Sequence, residues 1–296
     1  MERPPRVDAD VSGASFSEDA RPLQLHDEHV RLGARFGSFG DWEVPLDYGI
    51  PMSEDLPLDH PLITDFSFQG TVHVTGADSA LFLQTMLTAD IEAIDVLGGS
   101  VPALALTPAG EVIDLIHVVR TGDAEYLLIT NAPNTDEVVE WLTDHASVAD
   151  DEGRLFPDVD VTDETGRLAA IALMGPGYID MLASFASAPE RVYGGWEAGM
   201  FFGGEIGGIP LMMIRLRGLE DAAILYGSPE GLGALWDALL GFPELQAVGF
   251  DQLVLVARFC GLWLDGVDEG RYRTVAEAGL GHLVRPSGGF VGESAL

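Results

Sequence analysis

The stretch "GTVHVTGADSALFLQTMLTAD", residues 70–90, changes hydrophobic period in its middle. Val72 and Val74 alternate with polar neighbours over residues 71–76, the period of a half-buried strand. After the Gly76 break, Asp78 or Ser79 offers a helix N-cap, and Leu81, Phe82, Thr85 and Met86 fall on one helical face. A short strand turned by glycine into a short amphipathic helix opens a β-α-β unit. The helix gives way at Asp90, a carboxylate placed where regular structure stops.

Working outward, strands are expected at "VPALALTP" (101–108) and "EVIDLIHVVR" (111–120), joined by a turn from Thr107 to Gly110. A third strand, "AEYLLITNA" (124–132), precedes a helix, "TDEVVEWLTDHA" (135–146). This order matches a split β-α-β unit of ferredoxin-like type. It returns after an acidic link at 149–166: strand 167–176, helix 177–186, strands 205–217 and 222–228, helix 230–241. The expected fold class is α+β, two ferredoxin-like lobes, each a sheet with helices on one face. Residues 1–22 read as a disordered tail, 23–62 with 160–245 as the first lobe, and 63–159 with 246–296 as the second. The repeat is one of structure, because the two halves share little residue identity.

Composition narrows the chemistry. Of 296 residues, 48 are acidic and 15 basic, a net charge of −33, and every basic residue is Arg. Hydrated carboxylates without Lys suit a protein kept soluble in molar salt, where self-repulsion is screened over about 3 Å. Nucleic acid and anionic membrane are not expected partners, since both need clustered cations. The absence of Lys removes Schiff-base, pyridoxal-lysine and P-loop chemistry. The single cysteine, Cys260, excludes an intrachain disulfide and reads as a core residue in a reducing cytoplasm. No stretch approaches the roughly 18 apolar residues of a membrane span.

Several residues invite a functional reading. Asp90, on a loop that faces an interlobe cleft, would serve as a base or as counter-charge to an amine; the ordinary alternative is a solvated loop acid. Asp114 lies among apolar neighbours in a strand, where Asp is disfavoured, and an edge position is equally open. Arg215 and Arg217 alternate on one strand face, with Glu220 and Asp221 in the turn that follows. That group is either a surface ion-pair cluster or an edge where Glu220 accepts two N–H bonds from a pterin-like ring. His26 and His29 have helical i, i+3 spacing but no further ligands, so no metal is expected.

Six stretches, in order, resemble the aminomethyltransferase family, the T-protein of the glycine cleavage system and its relatives. They are "HDEHVRLGARFGSFGDWEVPLDYG" (26–49), "ITDFSFQGTVHVTGADSALFLQTMLTAD" (63–90), "GEVIDLIHVVR" (110–120), "YLLITNAPN" (126–134), "IALMGPG" (171–177) and "EAGLGHLVRPSGGFVGESAL" (277–296). The resemblance implies a folate-binding fold with tetrahydrofolate or a related reduced pterin as cofactor. It gives Asp90 the place of the acid beside the reactive nitrogens, Glu220 that of the carboxylate holding the pterin, and Asn131 that of a cleft-facing amide. Asp114 joins them as a cofactor-binding candidate. Ala89 stands where the family has Asn, Phe68-Gln69 where it has His-Met, and Arg258 one position along from an Arg whose companion Glu has no counterpart. The family's terminal barrel has no counterpart here either.

Three functions follow from the resemblance. One is a folate-dependent methyl or aminomethyl transferase acting on a small methylated amine or sulfonium donor. The others are a non-catalytic tetrahydrofolate-binding protein of the YgfZ type, supporting iron–sulfur proteins, and an interaction module that keeps only the fold.

Overall fold

The computed structural model describes residues 20–49, 60–95, 97–151, 153–187, 192, 201–215, 222–260 and 274–296. The fold is α+β, built on two large sheets. The first has five strands in the order Asp160–Asp163, Gly70–Thr75, Glu125–Thr130, Val112–Gly122, Ser100–Leu106, all antiparallel. Without the Ser100–Leu106 edge this is the ferredoxin-like order. The second has six strands: Phe201–Ile206, Ile209–Arg215, Ala222–Gly227, Ala169–Met174, Leu62–Asp65, Gln246–Ala247. It repeats the same arrangement, with Leu62–Asp65 beside Ala169–Met174 just as Asp160–Asp163 lies beside Gly70–Thr75.

The lobes divide elsewhere than the sequence implies. Leu62–Asp65 completes the six-stranded sheet and Asp160–Asp163 the five-stranded one, so the crossings lie in the short segments 66–69 and 164–168, not at 62/63 and 159/160. The acidic link at 149–166 hides the second of these strands. Asp160 and Asp163 are exposed on the sheet edge, where charge discourages pairing with another chain. Each exchanged strand is approached by a glycine. At Gly76 a Cβ would sit 2.2 Å from the Asp158 carbonyl oxygen, and at Gly175 2.6 Å from that of His60, both at positive φ. Only glycine fits either turn.

Strand alternation sorts side chains into layers. Tyr126 and Leu128 point outward, with Val72 and Val74, onto Phe82, Leu83 and Met86 of helix Ser79–Met86 and Val138 and Leu142 of helix Thr135–Ala146. Leu81, expected on the buried helical face, is 54% exposed, and Leu83 takes its place. Ile171 and Leu173 likewise meet Leu182 of helix Tyr178–Phe185 and Trp236 of helix Pro229–Leu239. Leu127 and Ile129 point the other way, toward Ala170, Ala172 and Tyr226 of the second sheet, in one shared core. Each fully buried Leu, Ile or Phe in these layers contributes about 1.5–3 kcal/mol. Phe39 and Trp42, from the hairpin of Arg35–Phe39 and Trp42–Asp47, and Phe250, Leu253 and Val254, from helix Phe250–Cys260, belong to the same core. Arg21–Pro22, expected in the tail, pairs with Trp42–Glu43, and the Arg21 guanidinium stacks 4.5 Å from the Trp42 ring.

Candidate active site

Helix Ser79–Met86 has no basic residue in its last turn and ends in extended backbone at Leu87. Leu87 bridges Ala105 on the edge strand, and Thr88 N donates to the Leu104 carbonyl at 3.1 Å. The Thr88 hydroxyl accepts from Leu104 N and donates to the Leu283 carbonyl, both at 2.9 Å. Buried Ala89 and Ile91 pin the loop on either side of Asp90, which is exposed. Gln84 fixes its conformation from within the helix. Its Oε1 accepts from Ile91 N at 2.7 Å and Glu92 N at 3.2 Å, while its Nε2 donates to Asp90 Oδ1 at 3.3 Å. The loop thus presents the Asp90 carboxylate, with exposed Glu92 two residues on, and Asp90 Oδ2 has no hydrogen bond among the described residues.

Asp114 lies on the other side of Ala105, which pairs with Asp114 and bridges Leu87. Two interstrand spacings, about 10 Å, therefore separate the start of the Asp90 loop from the Asp114 backbone. Asp114 is fully buried. Its Oδ2 accepts from Asn131 N at 3.0 Å, and its Oδ1 from Asn131 Nδ2 at 2.8 Å and Asn134 Nδ2 at 3.0 Å. Asn131 Nδ2 also donates to the Leu115 carbonyl at 3.2 Å. The carboxylate organises the turn from strand Glu125–Thr130 into helix Thr135–Ala146, and its oxygens are committed there. Asp114 thereby fixes the position of the Asn131 amide.

Glu220, Asp221 and Arg217 lie outside the described residues; the Arg258 backbone belongs to helix Phe250–Cys260, and its side chain is outside the description. The structure brings Asp114 and Asn131 into contact, and sets Leu87 and Thr88, which lead into Asp90, beside Ala105 and Leu104 of the same sheet. His26 and His29 have separate partners: His26 faces Glu43 at 3.2 Å, and buried His29 contacts Asp65 at 2.7 Å and Tyr48 at 2.9 Å. Among the described residues no cluster of His, Cys, Asp or Glu is arranged to hold a metal.

Sequence reasoning passed over Arg285, which is 8% exposed beneath the Asp90 loop. Burial lowers its pKa, opposed by the charges of Asp90, Glu293 and Glu92. The available signal was a lone cation in the Gly-rich closing segment "GHLVRPSGGF" (281–290). That segment packs on Leu104 and Leu106 through Phe290, with Leu283 and Val284 beside it.

Paired ferredoxin-like units with exchanged strands, and an acid presented where helix Ser79–Met86 ends, define a two-lobed α+β protein with its candidate site on the loop after that helix. Its kinship is direct: the GCVT N-terminal domain family matches residues 25–287, and the chain belongs to this aminomethyltransferase family. It is 32% identical over 285 residues to an aminomethyltransferase of Desulfitobacterium hafniense, covering 92% of this chain and 73% of that protein. It is 29% identical over 284 residues to a probable aminomethyltransferase of Halobacterium salinarum, covering 93% and 75%. The glycine cleavage system aminomethyltransferase T of Bartonella henselae has the same fold, with a TM-score of 0.72 at 23% identity, covering 93% of this chain and 73% of that one.

Proposed function

We propose that this protein is a tetrahydrofolate-dependent one-carbon transferase that takes a methyl or aminomethyl group from a small methylated amine or sulfonium donor. The observation that carries the reading is Asp90, an exposed carboxylate held by Gln84 between two buried residues. A reduced pterin fits this position because its reactive edge offers N–H donors and Asp90 Oδ2 is an acceptor with no other described partner. When bound, tetrahydrofolate supplies the nucleophilic nitrogen that receives the one-carbon unit. Asp90 would hold the N–H of that nitrogen and would accept its proton during transfer, a general-base role. Asn131, fixed by Asp114, would flank the ring, and Glu220 would accept from its N–H edge. With a sulfonium or quaternary ammonium donor the leaving group would be a neutral thioether or tertiary amine, so the protein would supply mainly orientation and a fixed charge.

The test is incubation with tetrahydrofolate and either trimethylsulfonium or tetramethylammonium, followed by mass spectrometry of the folate. A folate gaining one methyl group supports the reading. Unchanged folate with both donors, together with no rise in melting temperature on adding tetrahydrofolate, would reject it, since ligand at 100 times its Kd should add about 2.7 kcal/mol.

A further inference from the structure

Arg285 uses all five of its N–H donors on backbone carbonyls. Nη1 donates to Leu87 and Ala89, both at 2.6 Å; Nη2 donates to Gln84 at 2.6 Å and Gly289 at 3.2 Å; Nε donates to Gly288 at 3.0 Å. Three of these carbonyls lie on the Asp90 side, one in the last turn of helix Ser79–Met86 and two in the chain leading to Asp90, and two belong to Arg285's own turn. The guanidinium also stacks 5.0 Å from the Phe290 ring. The backbone joins in: Arg285 N donates to the Thr88 carbonyl at 2.9 Å and Val291 N to that of Thr85 at 3.0 Å.

Burying a cation is costly unless its donors are met, and here five neutral carbonyls meet them. The net charge beneath the loop therefore remains +1, with Asp90, Glu92 and Glu293 as the acids that oppose its desolvation. A surface strap would not require a buried guanidinium, because apolar contacts such as Val275 and Phe290 against Leu104 already hold the segment. The planar fork does what those contacts cannot: it sets the carbonyls of residues 84, 87 and 89 at fixed angles, and with them the direction of the Asp90 side chain.

We infer that Arg285 is a positioning residue for Asp90, acting on the transfer reaction only through the loop it grips. This rests on the role proposed for Asp90. The experiment is a double-mutant cycle of Asp90→Asn and Arg285→Gln in high salt, with Arg285→Lys as the conservative variant. Turnover is measured with tetrahydrofolate and trimethylsulfonium, and loop order by amide hydrogen exchange at Ile91 and Glu92. Arg285→Gln should lower kcat about 10- to 100-fold, the scale of a reacting group displaced by about 1 Å, with KM for tetrahydrofolate changed far less. Exchange at Ile91 and Glu92 should quicken, and Arg285→Lys should recover part of both. The double variant should be no slower than Asp90→Asn alone, because only one interaction is lost.

Multiplied effects in the double variant, full kcat in a folded Arg285→Gln protein, or unchanged exchange would overturn the inference while leaving Asp90's role intact. Should Arg285→Gln fail to fold, exchange and kcat in Arg285→Lys decide by the same criteria. Full activity in Asp90→Asn would instead defeat the functional reading itself, and this inference with it.

Discussion

His29 and Asp65 are buried together, Nε2 and Oδ2 2.7 Å apart, and join the helix His26–Arg31 to the strand that crosses into the second sheet. Asp65 Oδ1 also accepts from Ser67 N at 2.7 Å, and Tyr48 lies 2.9 Å from the other imidazole nitrogen. Removing the Asp65 carboxylate takes away the partner of the buried His29 ring and the acceptor of Ser67 N–H, and each buried polar group so left costs about 1–3 kcal/mol, so Asp65→Ala should lower stability by at least that much. Urea unfolding at constant salt measures it; an unmoved midpoint would contradict the structural role given to the pair.

Asp114→Asn should loosen the start of helix Thr135–Ala146. One carboxylate oxygen becomes an NH2 group facing Asn131 or Asn134, donor against donor, at a cost of about 1–3 kcal/mol. Amide exchange in residues 131–138 should rise while the Ser79–Met86 helix keeps its protection. Equal loosening of both helices would argue against a local anchor.

The regular elements were largely legible because their hydrophobic periods are clean. Helix Thr135–Ala146 falls on its expected residues, and the strand-turn-helix of 70–86 is present. Strand Asp160–Asp163 was not legible, since an edge strand of "DVTD" has the composition of a loop. Leu81 was misplaced because a helix of eight residues leaves a broad choice of face. Residues 205–217 looked like one strand, but the positive-φ glycines 207 and 208 fold the chain back into a hairpin. Asp90 was legible as an acid just past a helix end, where the structure has it. His29–Asp65 and Arg285 were missed because partners separated by 36 residues, or by nearly 200, leave no local trace.

Alkaline pH should destabilise the fold. Burial holds the Tyr226 phenol well above its ordinary range, and burial first and Asp65 second do the same for Tyr48. Their stabilisation is complete below about pH 10 and falls at higher pH, where only the unfolded chain ionises, by about 1.4 kcal/mol per pH unit for each. Tyr226→Phe should flatten this decline between pH 10 and 11.5. A decline as steep as in the unaltered protein would contradict the assignment.

Salt should be required for folding. With a net charge of −33 and no Lys, lowering salt from 1 M to 0.01 M lengthens the screening distance from about 3 Å to about 30 Å and restores self-repulsion. Circular dichroism should show loss of structure on dialysis; identical spectra and melting temperature at both salt concentrations would refute the halophilic reading.

The most direct test of the whole account is Asp90→Asn, assayed for one-carbon transfer and for tetrahydrofolate affinity in the same preparation. Asp90 should interact chiefly with charge that develops on the reacting nitrogen, so its loss lowers turnover more than ground-state binding. The predicted result is a fall in rate of about 100- to 1000-fold, roughly 2.7–4 kcal/mol, with Kd for tetrahydrofolate changed only a few-fold. Full turnover in the variant, or a loss of affinity as large as the loss of rate, would show that the exposed acid after helix Ser79–Met86 is not the catalytic group.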